Sequence, residues 1–139
     1  MLHGMSSSKP PHLWLRIVVP DIGAIGPGKI DLLRSIDKTQ SISAAARDLN
    51  MSYRRAWMLL DQTRRIVGTE IIVTHAGGAD RGGAALTEAG RALIGIYERV
   101  CEAAGKAAQG ELEKLKFSAA ADPGDAPADT RKRRKTKTS

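Results

Sequence analysis

Residues 41–65 read SISAAARDLNMSYRRAWMLLDQTRR, and how this stretch folds decides the rest. Ser41 or Ser43 can cap the free N–H groups that open a short helix. In that helix Ala45, Ala46 and Leu49 are small or apolar at helical spacing, so another helix can cross closely. Asn50-Met51 makes the turn, because Asn tolerates the left-handed conformation that ends a helix. Ser52 caps a second, longer helix whose first turn carries Tyr53, Arg54 and Arg55. Ala56, Leu59, Leu60 and Thr63 share one side of it, while Arg54, Trp57, Asp61 and Arg64 fall on others. Two helices joined this way, with cations and hydrogen-bonding side chains opening the second, match a helix-turn-helix that enters a DNA major groove. On spacing alone, an ordinary helical hairpin with a solvated basic face competes with that reading.

Upstream, Leu13 to Val19 (LWLRIVV) is β-branched and aromatic, which predicts a strand, and Arg16 within it puts one face in solvent. Pro20 to Gly28 is a connection with a brief return strand around Ala24-Ile25. Gly23 and Gly28-Lys29 have the spacing of a phosphate-cradling loop. Ile30, however, stands where that motif needs a hydroxyl for magnesium, and the chain is too short for the parallel strands behind such a loop. Gly-Pro-Gly is therefore read as a turn and a helix start. Gly28 to Lys38 is the first helix, with Ile30, Leu33 and Ile36 as its apolar stripe, Leu32 at the border, and a break at Thr39-Gln40.

Downstream of Gly68, which closes the second motif helix, Ile71 to Val73 is a short strand. A Gly-rich tip over 76–83 and a second strand, Ala84 to Leu86, complete a hairpin. After a helix-turn-helix such a hairpin is a wing, and Arg81, Gly82 and Gly83 are its candidates for phosphate contact. Thr87 caps a last helix from Glu88 to about Lys116. Its stripe of Leu93, Ile96, Tyr97, Val100 and Ala104 outruns one small domain, which predicts a homodimer. The fold class expected is mainly α with a small β-hairpin wing. The domains are a disordered tail over 1–12, the winged helix-turn-helix over 13–87, a dimerisation helix over 88–116 and a disordered basic tail over 117–139.

The formal charge is +7. The run RKRRKTK (131–137) supplies six positive charges and Asp122, Asp125 and Asp129 offset three, leaving +4 on the remainder. A polyanionic partner fits that balance. One cysteine, Cys101, excludes an internal disulfide and fits a reducing cytoplasm. No run of about 18 apolar residues exists for a membrane span, and the N-terminus lacks an export signal. His3, His12 and His75 are scattered, with no nucleophile–base or metal-ligand spacing. No enzyme, metal or cofactor is therefore expected.

From about Leu13 to Val100 the chain resembles the N-terminal DNA-binding domain of the ModE family of molybdenum-responsive regulators, relatives of the LysR-type winged helices. IDLLRSID, SISAAARDLNMSYRRAW and GGADRGGAALTEAGRALI carry the likeness. The resemblance implies a dimer on an inverted-repeat operator, with Ser52 to Trp57 at the base edges and the wing on the flanking backbone. Family members also carry C-terminal β-barrel domains that bind molybdate, where this sequence has a basic tail. The expectation is thus a stand-alone, nucleoid-associated regulator whose effector is absent or carried by a partner protein.

Arg54 and Arg55 divide base and phosphate contact in an order the sequence leaves open, and Trp57 faces either DNA or core. Tyr53 suits a phosphate, sugar or thymine methyl. Ser41 and Ser43 suit a phosphate, although capping explains them nearly as well. A weakly specific DNA-coating protein and a protein–protein module on the same fold are the rival functions.

Overall fold

The computed structural model describes residues 11–75 and 83–115. Residues 12–107 form one compact unit, and residues 108–115 fall in a second, where Lys114 pairs with Glu111 at 3.1 Å. The order is β1 (Ile17–Val19), β2 (Gly23–Ile25), α1 (Pro27–Thr39), α2 (Ile42–Asp48), α3 (Tyr53–Val67), β3 (Ile72–His75), β4 (Gly83–Leu86) and α4 (Glu88–Leu112). Four helices and two antiparallel hairpins make a winged helix-turn-helix.

The first strand is shorter than its sequence predicts. β2 has only three residues before Gly26 and Pro27 open α1, so residues before Ile17 find no ladder partner. The Leu15 carbonyl instead accepts the Tyr97 hydroxyl of α4 at 2.7 Å. Between the strands, Pro20 and a left-handed Asp21 (φ 67°) bring the Ile22 N–H onto the Val19 carbonyl at 3.0 Å.

α1 runs through the centre. Ile30, Leu33 and Ile36 are fully buried, and so is Leu32, because α1 is covered on more than one side. It ends at Gln40, left-handed at φ 58°, whose N–H donates to the Ile36 carbonyl at 2.7 Å. The Gln40 carbonyl then accepts from Ala84 N–H at 3.0 Å, so the base of the wing is hydrogen-bonded to the α1–α2 junction.

In the wing, Ile72 pairs with Leu86 and His75 with Gly83. The first strand starts one residue later than predicted and reaches His75. Ile71 is buried beneath α4, and its carbonyl accepts the Thr87 N–H at 2.9 Å. Thr87 caps α4 by accepting from Gly90 N–H at 3.1 Å, while its own hydroxyl donates to the Glu70 carbonyl at 2.8 Å. A Cβ at Gly90 would collide with the Ile71 carbonyl, so glycine is what lets α4 lie this close.

α4 splits its apolar stripe. Leu93, Ile94, Tyr97 and Cys101 pack on the domain, whereas Ile96 and Val100 stay 47% and 38% exposed. The helix stops at Leu112, short of Lys116, where the Lys114 and Leu115 N–H groups turn back to the Glu111 and Leu112 carbonyls at 3.0 Å. Among the described residues no helix is long and apolar enough to cross a membrane.

Burial, with the Cys101 side chain alongside, pushes the Tyr97 phenol up to about 12. An unfolded tyrosine ionises near about 10. Folding then favours the neutral phenol, so its contribution is complete below about pH 10 and is lost as pH rises towards about 12. Denaturant titrations at about pH 9 and about pH 11 should show the wild type losing more stability than Tyr97→Phe across that interval. Parallel losses would refute the assignment.

Candidate nucleic-acid interface

Small residues set the helix crossing. Ala45 and Ala46 of α2 are buried against Ala56, Leu59 and Leu60 of α3, with Thr63 inward and its hydroxyl donating to the Leu59 carbonyl at 2.7 Å. Ser35 of α1 donates to Asp48 at 3.0 Å, pinning the far end of α2.

The turn between α2 and α3 is closed by backbone bonds. Met51 N–H donates to the Ala46 carbonyl at 2.9 Å and Asn50 N–H to the Arg47 carbonyl at 3.1 Å, around a left-handed Asn50 (φ 58°). This is a Schellman closure with Asn in the position that usually takes glycine. Of the two candidate caps for α2, Ser41 does the work: its Oγ accepts the Ala44 N–H at 3.0 Å, and Ser43 is exposed. Ser52 caps α3, accepting the Arg55 N–H at 3.0 Å. Each capping hydroxyl keeps its own proton available to donate.

With one face of α3 buried, the opposite face is set. Ser52, Tyr53, Arg54, Arg55, Trp57 and Met58 are all exposed. Trp57 is therefore on the outer face and not in the core, and it meets Tyr53 edge-on with ring centroids 6.3 Å apart. Met58, which sequence reasoning passed over, is 46% exposed beside them. The i+4 spacing from Arg54 was the available signal.

The arginines of α3 divide into two kinds. Arg64 and Arg65 both hold Asp61 at 2.9 Å, and the Arg64 hydrogen bond keeps that carboxyl below its ordinary range. Arg54 and Arg55 make no ion pair with a described residue. Among the described residues, the first turn thus presents two guanidinium groups without a carboxylate partner, and the last turn presents paired ones.

Arg81 and Gly82 lie outside the described residues. Gly83 begins β4, and a Cβ there would stand 3.0 Å from the Gln40 carbonyl, so close packing at the wing's base already accounts for glycine. Among the described residues no three His, Cys, Asp or Glu side chains gather into a metal site.

The family model for the bacterial regulatory helix-turn-helix protein, lysR family, matches residues 28–91, from the first turn of α1 to the first turn of α4. These residues are a LysR-type helix-turn-helix domain. Of the curated proteins similar to the chain, the molybdenum-pterin-binding protein MopB of Rhodobacter capsulatus is 38% identical over 82 residues, 58% of this chain and 30% of that protein. The DNA-binding transcriptional dual regulator ModE of Escherichia coli K12 is 33% identical over 81 residues, 58% of this chain and 31% of that protein. The chain therefore spans about 30% of the length of these relatives. The solved CbnR_DBD–DNA complex aligns with 64% of this chain and 97% of that chain, at a TM-score of 0.48 and 19% identity. The β1–β2 hairpin precedes the matched LysR-type segment.

Because the Ser52 hydroxyl satisfies an otherwise orphaned N–H, Ser52→Ala should destabilise the LysR-type domain by ~0.5–2 kcal/mol. Ser43→Ala should stay within ~0.5 kcal/mol. Urea titrations compare the two, and equal effects would contradict the cap assignment.

Proposed function

We propose that this chain is a sequence-specific, double-stranded-DNA-binding transcriptional regulator that acts as a homodimer on an inverted-repeat site. The observation that carries the reading is the exposed Arg54–Arg55 pair on the first turn of α3, which makes no ion pair among the described residues, at the start of a helix whose inward face is fully used. A free guanidinium there can grip guanine O6 and N7 with two parallel bonds. Tyr53 supplies a hydroxyl for a phosphate, and Trp57 and Met58 supply apolar surface for a thymine methyl. Ser41 and Ser52 can donate to phosphates with the protons their caps leave free. The wing takes the flanking backbone, with Arg81 and Gly82, which fall in sequence between β3 and β4, as its candidate contacts. The E. coli relative is itself named a DNA-binding regulator, which agrees with this reading.

Dimerisation is assigned to the outer row of α4. Ile96 and Val100 are exposed one turn apart, with exposed Ala92, Ala103 and Ala107 continuing the row. Successive steps of four, four, three and four residues keep this row along one side of α4, where a second helix can pack side by side. Ile96→Asp with Val100→Asp should turn a dimer into a monomer in sedimentation velocity, with thermal stability preserved. An unaltered sedimentation coefficient would reject α4 as the contact.

Duplexes selected from a random pool test the DNA reading. Arg54→Ala or Arg55→Ala should cost ~1–3 kcal/mol on the selected duplex, and at least one should relax a single base position. Equal losses of both on selected and random DNA would leave only a nonspecific, DNA-coating role.

A further inference from the structure

α3 keeps three large apolar side chains in solvent within a stretch of six residues: Tyr53, Trp57 and Met58. At about 100° per residue, the buried row of Ala56, Leu59, Leu60 and Thr63 fixes which of them point straight out. Arg54, Trp57 and Met58 stand opposite that row, with Tyr53 and Arg55 to either side of them. The same face continues to Asp61, whose carboxylate Arg64 and Arg65 hold. The centre of the presented face is therefore one cation followed by an apolar strip. The edge-on contact with Tyr53 does not bury Trp57, which stays 38% exposed next to Met58. Apolar surface left in water in this way gains from being covered.

We infer that Trp57 and Met58 are specificity-determining residues that read the 5-methyl group of thymine, beside a guanine taken by Arg54. The inference rests on the DNA-binding reading and narrows it to a class of site. Among the groups that base pairs show in the major groove, the thymine methyl is the apolar one, and the others are hydrogen-bond donors and acceptors. The Met58 thioether and the face of the Trp57 ring have no strong hydrogen bond to give those groups. Pressed against them, the strip would strip away their water without replacing it. The bordering cations select a polyanion over an apolar protein partner, because a protein covering the strip would also have to desolvate Arg54 and Arg55. Arg54 and Met58 are four residues apart, which is about 6 Å along the helix axis. With α3 lying along the groove, that length matches about two base-pair steps of about 3.4 Å. The favoured site thus carries a thymine within about two steps of the guanine that Arg54 takes.

Deoxyuridine, which is thymidine without the methyl, provides the test. A duplex selected from a random pool by the whole chain is compared, by fluorescence anisotropy, with copies carrying deoxyuridine in place of each thymidine in turn. Losing a covered methyl should weaken wild-type binding about fourfold, at a position within about two steps of a guanine. This comparison needs no variant. The double variant Trp57→Ala, Met58→Ala should bind the selected duplex more weakly and should no longer distinguish it from the deoxyuridine copies. Its dependence of affinity on salt should match that of the wild type, because the contact it loses is not to phosphate. Thermal melts establish that it is folded. Equal wild-type affinity for every copy, or a deoxyuridine penalty that persists in the folded double variant, overturns the inference and leaves the DNA-binding reading standing. Undiminished affinity of the double variant for the selected duplex overturns it too, and assigns the strip to a protein contact. Failure of the wild type to bind any duplex removes the DNA-binding reading as well.

Discussion

The architecture depends on how closely α2 and α3 cross. Ala45, Ala46 and Ala56 are almost without exposed surface, and any larger side chain there would drive the helices apart. With 3.6 residues per turn, committing Ala56, Leu59, Leu60 and Thr63 inward forces Tyr53, Arg54, Trp57 and Met58 outward. The presented surface is therefore a consequence of core packing. The rotation of α3 is set by burial, its start by the Ser52 cap, and its distance from α2 by the backbone-closed turn at Asn50.

The remaining elements brace that pair. α1 lies beneath both helices and ends in a left-handed Gln40 whose carbonyl holds β4, so the wing's base and the helix-turn-helix share an anchor. α4 is tied at its first turn by Thr87 and the close approach at Gly90, and one turn beyond Leu93 by Tyr97 reaching Leu15. The segment leading into the β1–β2 hairpin is thus fastened to α4, and among the described residues the hairpin pairs with no other strand.

Much of this was legible in the sequence because it follows from local rules. The small residues of α2, the Asn50 turn, the Ser52 cap and the closing Gly68 are signals whose chemistry acts within a few residues. Details set by distant partners were not legible. Periodicity put Leu32 at the edge of a stripe, and only the packing of several elements around α1 buries it. Propensity extended the first strand back to Leu13, but a strand needs a partner, and Gly26-Pro27 withdraws it. The α4 stripe looked uniform, yet the domain takes Leu93, Tyr97 and Cys101 and leaves Ile96 and Val100. Ser41 and Ser43 are equivalent caps on paper, and the path from Gln40 into α2 separates them. For the site, residue types identified the α3 face, and the pairs of Asp61 with Arg64 and Arg65 follow the helical i,i+3 and i,i+4 spacing that the sequence carries. The turn of Trp57 out of the core was not legible, because it depends on α1 and α2 filling the opposite face of α3.

The central claim, that the outward face of α3 is what meets the duplex, is tested most directly by following the backbone amides in solution as duplex DNA is added. The account predicts that the largest shifts fall on Ser52 to Met58, with smaller ones near Ser41, while the buried run Leu32 to Ile36 stays in place. Shifts concentrated on the outer row of α4, with Ser52 to Met58 unmoved, would contradict it.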